Sequence, residues 1–135
     1  MPGFFGEHKL NQAWAFKYDC ELMGINLHTD FAAVNVKFWI TPDVALVDYD
    51  AGGLVVWDKE ASLDWDFEKY KADEAVMRVS LAENNADAVR VPYRQNRALV
   101  FNSDLLHETD RIAFRPGYEN RRINITLLYG DRRSV

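Results

Sequence analysis

Residues 32–41 read AAVNVKFWIT, a run that is typical of a β-strand. Within it the polar residues Asn35 and Lys37 alternate with valine and phenylalanine, which is the period-two pattern of a half-buried strand. Pro42 ends the strand, because proline has no amide hydrogen to donate to a neighbouring strand. The stretch therefore predicts a sheet protein with at least one face packed on a core.

Short strands of the same kind are predicted along most of the chain. They cover Ala13–Tyr18, Gly24–His28, Ala32–Thr41, Leu54–Trp57, Ala88–Tyr93, Ala98–Asn102 and Arg122–Tyr129. From Asp66 to about Asn84 apolar residues recur at helical spacing, which predicts one helical insertion. No repeat or linker divides the chain, so residues 1–135 are expected to form a single domain. The pattern predicts a mainly β, cupin-like jelly roll, also called a double-stranded β-helix, with one helical insertion.

Composition and charge exclude several classes of protein. Hydrophobic residues make up 48% of the 135 residues, which is enough for one core. The apolar runs are too short for a membrane-spanning helix, and no charged-then-apolar leader opens the chain. The net charge of −5 argues against broad nucleic-acid binding. A single cysteine, Cys20, fits a reducing compartment, so a cytoplasmic location is expected.

Two of the three histidines lie in positions that suit metal ligands. His28-Thr29-Asp30 ends one predicted strand, and His107 follows the strand that ends at Asn102. Residues two apart in an extended segment point to the same face, so His28 and Asp30 can both face a barrel interior. Two imidazoles and one carboxylate form the facial triad that binds non-haem iron(II). The tripeptide alone is a weak signal, because chance gives a His-x-Asp in about a quarter of such sequences.

The order of three segments is more specific than the tripeptide. Residues 24–30 read GINLHTD, residues 99–108 read LVFNSDLLHE, and residues 122–129 read RINITLLY. In this order the chain resembles the iron(II)/2-oxoglutarate-dependent dioxygenase superfamily, particularly its prolyl-hydroxylase-like and phytanoyl-hydroxylase-like branches. The resemblance implies that iron(II), held by His28, Asp30 and His107, uses 2-oxoglutarate and O₂ to hydroxylate a substrate C–H bond with release of succinate and CO₂.

The same resemblance implies which residues bind 2-oxoglutarate. Arg122 would hold the distal carboxylate, since a planar guanidinium grips a carboxylate through two parallel hydrogen bonds. Its neighbour Arg121 is the competing residue, but alternation along the last strand puts it on the opposite face. Asn124 stands where the family usually has a serine. Tyr18 resembles the family tyrosine whose hydroxyl reaches the co-substrate, and can equally be a barrel-wall aromatic.

Two further polar residues, Asn35 and Asn102, are candidates for contacts near the metal. Asn35 would touch the co-substrate or the primary substrate if it faces inward, and solvent if it faces outward. Lys37 is expected to face solvent. Asn102 precedes the distal histidine and is a candidate to support that ligand or to contact a substrate.

Two other interpretations remain open from the sequence. A cupin-like metal-binding protein with a sugar-binding or isomerase role would keep the metal without using 2-oxoglutarate. A degenerate barrel would act as an interaction domain. The sequence does not identify the substrate, which can be a small molecule or a peptide. A homodimer is expected if a second copy covers an exposed apolar barrel wall.

Overall fold

The computed structural model describes residues 6–19, 24–61 and 74–132. Within these ranges the protein is mainly β, with two antiparallel sheets and one α-helix. The strands are β1 (Leu10–Tyr18), β2 (Val34–Trp39), β3 (Leu54–Glu60), β4 (Ala88–Val91), β5 (Ala98–Asn102), β6 (Leu105–Thr109) and β7 (Arg122–Tyr129), and the helix is α1 (Glu74–Glu83). Two short 3-10 helices cover Asp43–Ala45 and Tyr118–Asn120. No helix in these ranges combines the length and apolarity that crossing a membrane requires.

The strands form a larger and a smaller sheet. The larger sheet has the order β1-β7-β2-β5, and the smaller has the order β4-β3-β6. His28 forms an isolated antiparallel bridge with His107, so the segment before β2 runs along the outer side of β6. Because β1 and β2 both pair with β7, side chains from the start, middle and end of the chain share one face of the larger sheet.

That inner face is unusually polar. Buried and half-buried residues alternate along β7, and the buried ones begin with Arg122, Asn124 and Thr126. On β2 the residues opposite this stretch, Lys37 and Trp39, are buried as well. Polar groups are costly to bury unless they are hydrogen-bonded or serve a ligand. The polar face therefore indicates where a functional site lies.

Two apolar clusters flank this face. The first surrounds Trp39, whose ring stacks on Tyr93 with centroids 5.1 Å apart. The second contains Leu27 and Leu106, covered by Met77 and Leu81, which lie one turn apart on α1. Burying a side chain of this size stabilises the fold by roughly 1.5–3 kcal/mol. The clusters thus fix the strands that carry the polar residues.

The structure confirms the mainly β prediction but corrects some elements. The predicted strand Gly24–His28 is wrong as a regular strand, since only His28 forms a bridge. There the amide of Ile25 donates a hydrogen bond to the Thr109 hydroxyl instead of to a backbone carbonyl. The two segments are also close, since a Cβ at Gly24 would lie 2.4 Å from Thr109 Cβ. The segment therefore runs close beside β6 without the regular hydrogen-bond register of a strand pair.

Two more corrections concern the middle and the end of the chain. Leu105–Thr109 was not predicted as a strand, and it is β6, so His107 lies within a strand and not in a loop. The helical insertion is confirmed from Glu74 to Glu83, and its predicted first part lies outside the described residues. The strand predicted to reach Tyr93 ends at Val91.

Candidate metal centre

Backbone pairing brings the two histidines together. The amide of His28 donates to the carbonyl of His107 at 3.0 Å, and the amide of His107 donates back to His28 at 2.9 Å. Their ring centroids lie 4.3 Å apart. On its other side, His107 is opposite Val56 of β3, which fixes the imidazole on the inner face of the smaller sheet.

Asp30 completes a three-residue cluster with the two histidines. Its Oδ2 lies 3.3 Å from Nε2 of His107, and its Oδ1 lies 3.8 Å from Nε2 of His28. The three ligand atoms all fall within 4.8 Å of one another. Two atoms bound to one ion at about 2.1 Å each are at most about 4.2 Å apart. Both distances between Asp30 and the histidines therefore suit a shared cation.

Hydrogen bonds to the backbone orient both imidazoles. Nδ1 of His28 lies 2.6 Å from the carbonyl of Asn26, and Nδ1 of His107 lies 2.8 Å from that of Leu105. A carbonyl can only accept, so each Nδ1 carries a proton, and in a neutral imidazole Nε2 then presents a lone pair. His107 Nε2 is buried and has no hydrogen-bond partner among the described residues. It faces the Asp30 carboxylate as one acceptor faces another.

The protonation states of the cluster suit a divalent cation. Burial, and after it the nearby His107, lower the pKa of His28 to about 3, so this imidazole is neutral near pH 7. Burial raises the pKa of Asp30, but the net effect of its neighbours, among them the Lys37 ammonium group, holds it below its usual value. Metal ligands must be deprotonated to bind, and these two groups already are.

Asn35 and Lys37 support the carboxylate from β2. Asn35 is fully buried and donates from Nδ2 to Oδ2 of Asp30 at 2.7 Å. Lys37 Nζ lies 3.7 Å from the same oxygen and donates to Thr126 Oγ1 at 3.3 Å. The prediction that Lys37 faces solvent is wrong, because its side chain is only 4% exposed. The alternating polar residues of β2 lie on the inner face of the strand, because that face lines the site.

Arg122 is a buried cation without a carboxylate partner among the described residues. It is 1% exposed; Nε donates to the carbonyl of Gly52 at 2.5 Å and Nη2 to that of Gly53 at 3.3 Å. The rings of Tyr18, Trp39 and Tyr93 surround its guanidinium carbon at 5.3, 5.7 and 5.8 Å. Burial lowers the pKa of Arg122 to about 10, while the two tyrosines oppose that shift. At neutral pH the group is charged.

The neighbouring residues divide as the strand alternation predicts. Arg121 lies on the other side of the strand start and pairs with Asp19 at 3.0 Å near the surface. Tyr18 is buried directly opposite Arg122 in the β1–β7 register. Asn124 is buried too, but Trp39 Nε1 donates to its Oδ1 at 3.1 Å and its Nδ2 donates to Thr126 at 3.0 Å. Its amide is thus engaged within the sheet.

Asn102 does not join the cluster. Its Nδ2 donates to Glu60 Oε1 at 2.7 Å, and its Oδ1 accepts from the amide of Asp104 at 3.0 Å. The side chain is exposed and stabilises the β5–β6 turn. Alternation explains the difference, because Asn102 pairs with Val34, whereas the inward-facing Asn35 pairs with Phe101.

A cavity of about 610 Å³ opens beside the cluster. His28, Asp30 and Lys37 form part of its wall, together with Trp14 and Phe16 of β1. The signal for this wall was the alternation along β1, which places Trp14, Phe16 and Tyr18 on one face.

Comparisons with known proteins identify no family for this chain. No protein-family model matches it, and no curated protein matches it with statistical significance.

Proposed function

We propose that the protein is an iron(II)- and 2-oxoglutarate-dependent oxygenase that hydroxylates a C–H bond of its substrate. The observation that carries the proposal is the facing pair of acceptors: Nε2 of His107 and Oδ2 of Asp30 lie 3.3 Å apart. Two lone pairs so placed in a buried site repel one another unless a proton or a metal cation lies between them. His28 supplies a third ligand, and this donor set suits iron(II) with positions left for other ligands.

The strand order supports a jelly-roll assignment. If the segment before β2 is counted as an irregular edge strand beside β6, the smaller sheet has four members, as does the larger. Along the chain the eight segments then lie in the larger, smaller, larger, smaller, smaller, larger, smaller and larger sheet, which is the order expected of a double-stranded β-helix. The triad would lie between the two sheets, where such folds hold their metal.

The interior charge favours an anionic co-substrate. Lys37 and Arg122 are both buried, and Asp30 is the carboxylate that pairs with Lys37. A divalent ion would add to this excess of positive charge, and a dicarboxylate would offset it. Arg122 lies four residues from Thr126 on the same face of β7, roughly 13 Å along the strand. Lys37 bonds Thr126 and lies beside Asp30, so a small dicarboxylate would lie along this stretch of β7, between the triad and the Arg122 side chain.

The chain's own residues would bind the metal ion and the co-substrate, orient them, and exclude water from the site. When bound, iron(II) and 2-oxoglutarate would supply the oxidising chemistry with O₂, releasing succinate and CO₂. Arg122 would hold the distal carboxylate, with Tyr18 beside it. Asn35 and Lys37 orient Asp30, and the rings of Trp39 and Tyr93 keep the guanidinium from water.

One observation favours a second candidate, a cupin-like metal-binding protein of the sugar-binding or isomerase kind. Arg122 already donates to two glycine carbonyls, so its guanidinium has a structural role without any ligand. In that case metal would bind at the triad, and 2-oxoglutarate would have no specific affinity.

An anaerobic titration separates the two functions. Adding 2-oxoglutarate to the iron(II) protein should produce a weak visible charge-transfer band, and admitting O₂ should convert 2-oxoglutarate to succinate. Arg122→Met should weaken 2-oxoglutarate binding at least tenfold while leaving metal affinity unchanged. Arg121→Met is the matched control, because Arg121 pairs with Asp19 at the surface.

The triad is tested with a second matched pair. His107→Ala should abolish both the band and succinate formation, whereas His8→Ala, which lies against Gly130 away from the site, should preserve them. The cupin-like function would be favoured if metal binds without producing the band and if the two arginine variants bind 2-oxoglutarate equally. Succinate formation at the normal rate in His107→Ala would reject the ligand assignment.

A further inference from the structure

The cavity beside the triad lies on the side away from Arg122. Its β1 wall is made by Gln12, Trp14 and Phe16, and its β7 wall by Leu128. Arg122 is paired instead with Tyr18 at the far end of β1, and neither residue lines the described wall. A co-substrate held by Arg122 would therefore leave this space open, with the triad between the two.

The wall is built mainly from large apolar side chains. Trp14 and Phe16 meet edge to face with centroids 6.1 Å apart. The segment on either side of the triad adds Ile25, Leu27 and Phe31. Phe16 and Phe31 are 37% and 54% exposed, so part of this aromatic surface is open to a ligand. Exposed aromatic rings that converge on one cavity are typical of a site that binds a ring or a hydrocarbon body.

Charges on the wall are paired with one another. Lys37 lies 3.7 Å from Asp30 and is only 4% exposed, so its ammonium group is directed to the carboxylate and to Thr126. The other polar side chains on the described wall, apart from His28, are the uncharged Gln12, Asn26 and Thr29. Apart from a metal ion at the triad, whose charge the dicarboxylate co-substrate would offset, the wall offers a charged ligand no unpaired counter-ion in exchange for its lost hydration.

The volume sets the size of the ligand. A cavity of about 610 Å³ falls within the range of roughly 300–1,000 Å³ that small-molecule sites occupy. It is far larger than O₂ or water requires. The cavity can hold a molecule of one or two fused rings with one reacting carbon near the triad.

We infer that this cavity is the primary-substrate site, and that it takes an uncharged, largely apolar small molecule with a ring-sized body. That the bound molecule is the substrate rests on the proposed function, because the cavity borders the triad at which the reaction would take place. The binding of such a molecule depends on the β1 aromatic wall and not on Arg122.

The test uses 2-naphthol as an uncharged probe and naphthalene-2-sulfonate as a charged probe of the same ring size. With Mn²⁺ in the protein, the relaxation rates of the 2-naphthol ring protons should rise by proximity to the ion, and the sulfonate should bind at least tenfold more weakly. Phe16→Ser should weaken 2-naphthol binding about tenfold or more. Leu10→Ser is the matched control, because Leu10 is an exposed residue of the same strand outside the cavity wall.

Binding is also followed without metal, through the probe's own line broadening. Equal affinity for the two probes, equal effects of the two serine variants, or no Mn²⁺-dependent relaxation of bound 2-naphthol would each overturn the inference. If Phe16→Ser unfolds the protein, Gln12→Leu serves instead, and should leave 2-naphthol affinity unchanged or raise it; a tenfold loss would contradict the apolar assignment. If 2-oxoglutarate does not bind while 2-naphthol still binds at the wall, the proposed function is overturned and the assignment of the apolar cavity is not.

Discussion

Asn35 donates a 2.7 Å hydrogen bond to the carboxylate of Asp30 from the neighbouring strand β2. The bond ends on Oδ2, the same oxygen that faces His107, while Oδ1 is directed to His28. A neutral amide thus fixes the plane of a carboxylate that has to present both oxygens toward two imidazoles. The position of Asp30 depends on residues brought together by sheet pairing, not on the loop that carries it.

Asn35→Ala should weaken metal binding without unfolding the protein. The variant removes a hydrogen bond to a charged group, and loss of such support for a ligand costs about 10–100-fold in metal affinity. Competition with a chelator, monitored by Co²⁺ absorbance, measures the effect. Asn102→Ala is the control, since Asn102 is exposed and bonds Glu60. Equal metal affinity in the two variants would contradict the role assigned to Asn35.

Gly53→Ala should destabilise the fold through the backbone of β4. A Cβ at this position would lie 1.7 Å from the carbonyl oxygen of Val91, so one strand has to move. Overpacking of this kind costs roughly 1–3 kcal/mol, and a backbone obstacle places the variant at the upper end. Urea unfolding measures the change. Surface substitutions change the free energy of unfolding by less than about 0.5 kcal/mol. A loss that small for Gly53→Ala would show that Gly53 and Val91 are not so close.

Leu106→Ala should lower the free energy of unfolding by about 2–5 kcal/mol, because it opens a cavity in a packed core. Leu106 is fully buried against Met77 and Leu81 of α1, next to His107 of the candidate metal centre. Leu10→Ala provides the comparison, since Leu10 is an exposed leucine and should change stability by less than about 0.5 kcal/mol. Urea denaturation of both variants is sufficient, and similar losses would contradict the assigned burial.

The metal-free protein should lose stability as the pH falls. The pKa of His28 is lowered to about 3 by burial and by His107, while in the unfolded chain it returns to the usual 6.5. Between these values the unfolded state binds the extra proton, so the free energy of unfolding decreases from pH 6.5 toward pH 3. Asp30, whose pKa is also lowered, adds a further loss below its usual value of 3.8.

The check is urea unfolding of the metal-free protein at several pH values, beside His28→Asn. The variant lacks the imidazole, so its unfolding free energy should depend less steeply on pH between 6.5 and 4. Parallel pH profiles for the two proteins would mean that His28 titrates normally in the fold.

Several elements were predictable because their physics is local. The period-two pattern around Asn35 and Lys37 gives a strand wherever it occurs, and the spacing in His28-x-Asp30 puts both side chains on one face when the chain is extended. Strand β6 was missed because its neighbours Ser103 and Asp104 resemble a loop and form a tight turn instead. The orientation of Lys37 was wrong, because alternation separates two faces without saying which of them is buried.

The sequence by itself determined that the chain forms short strands with one helical insertion, and that His28 and Asp30 share a face. Hydrogen-bond periodicity and side-chain alternation are set by neighbouring residues, so they can be read along the chain. The tertiary structure alone decided that His107 meets them, that Arg122 lies buried opposite Tyr18, and that the polar side of β2 faces inward. The first two features join residues more than 70 positions apart, and the third depends on which face of β2 the rest of the fold covers, so all three depend on strand register and on the packing of both sheets.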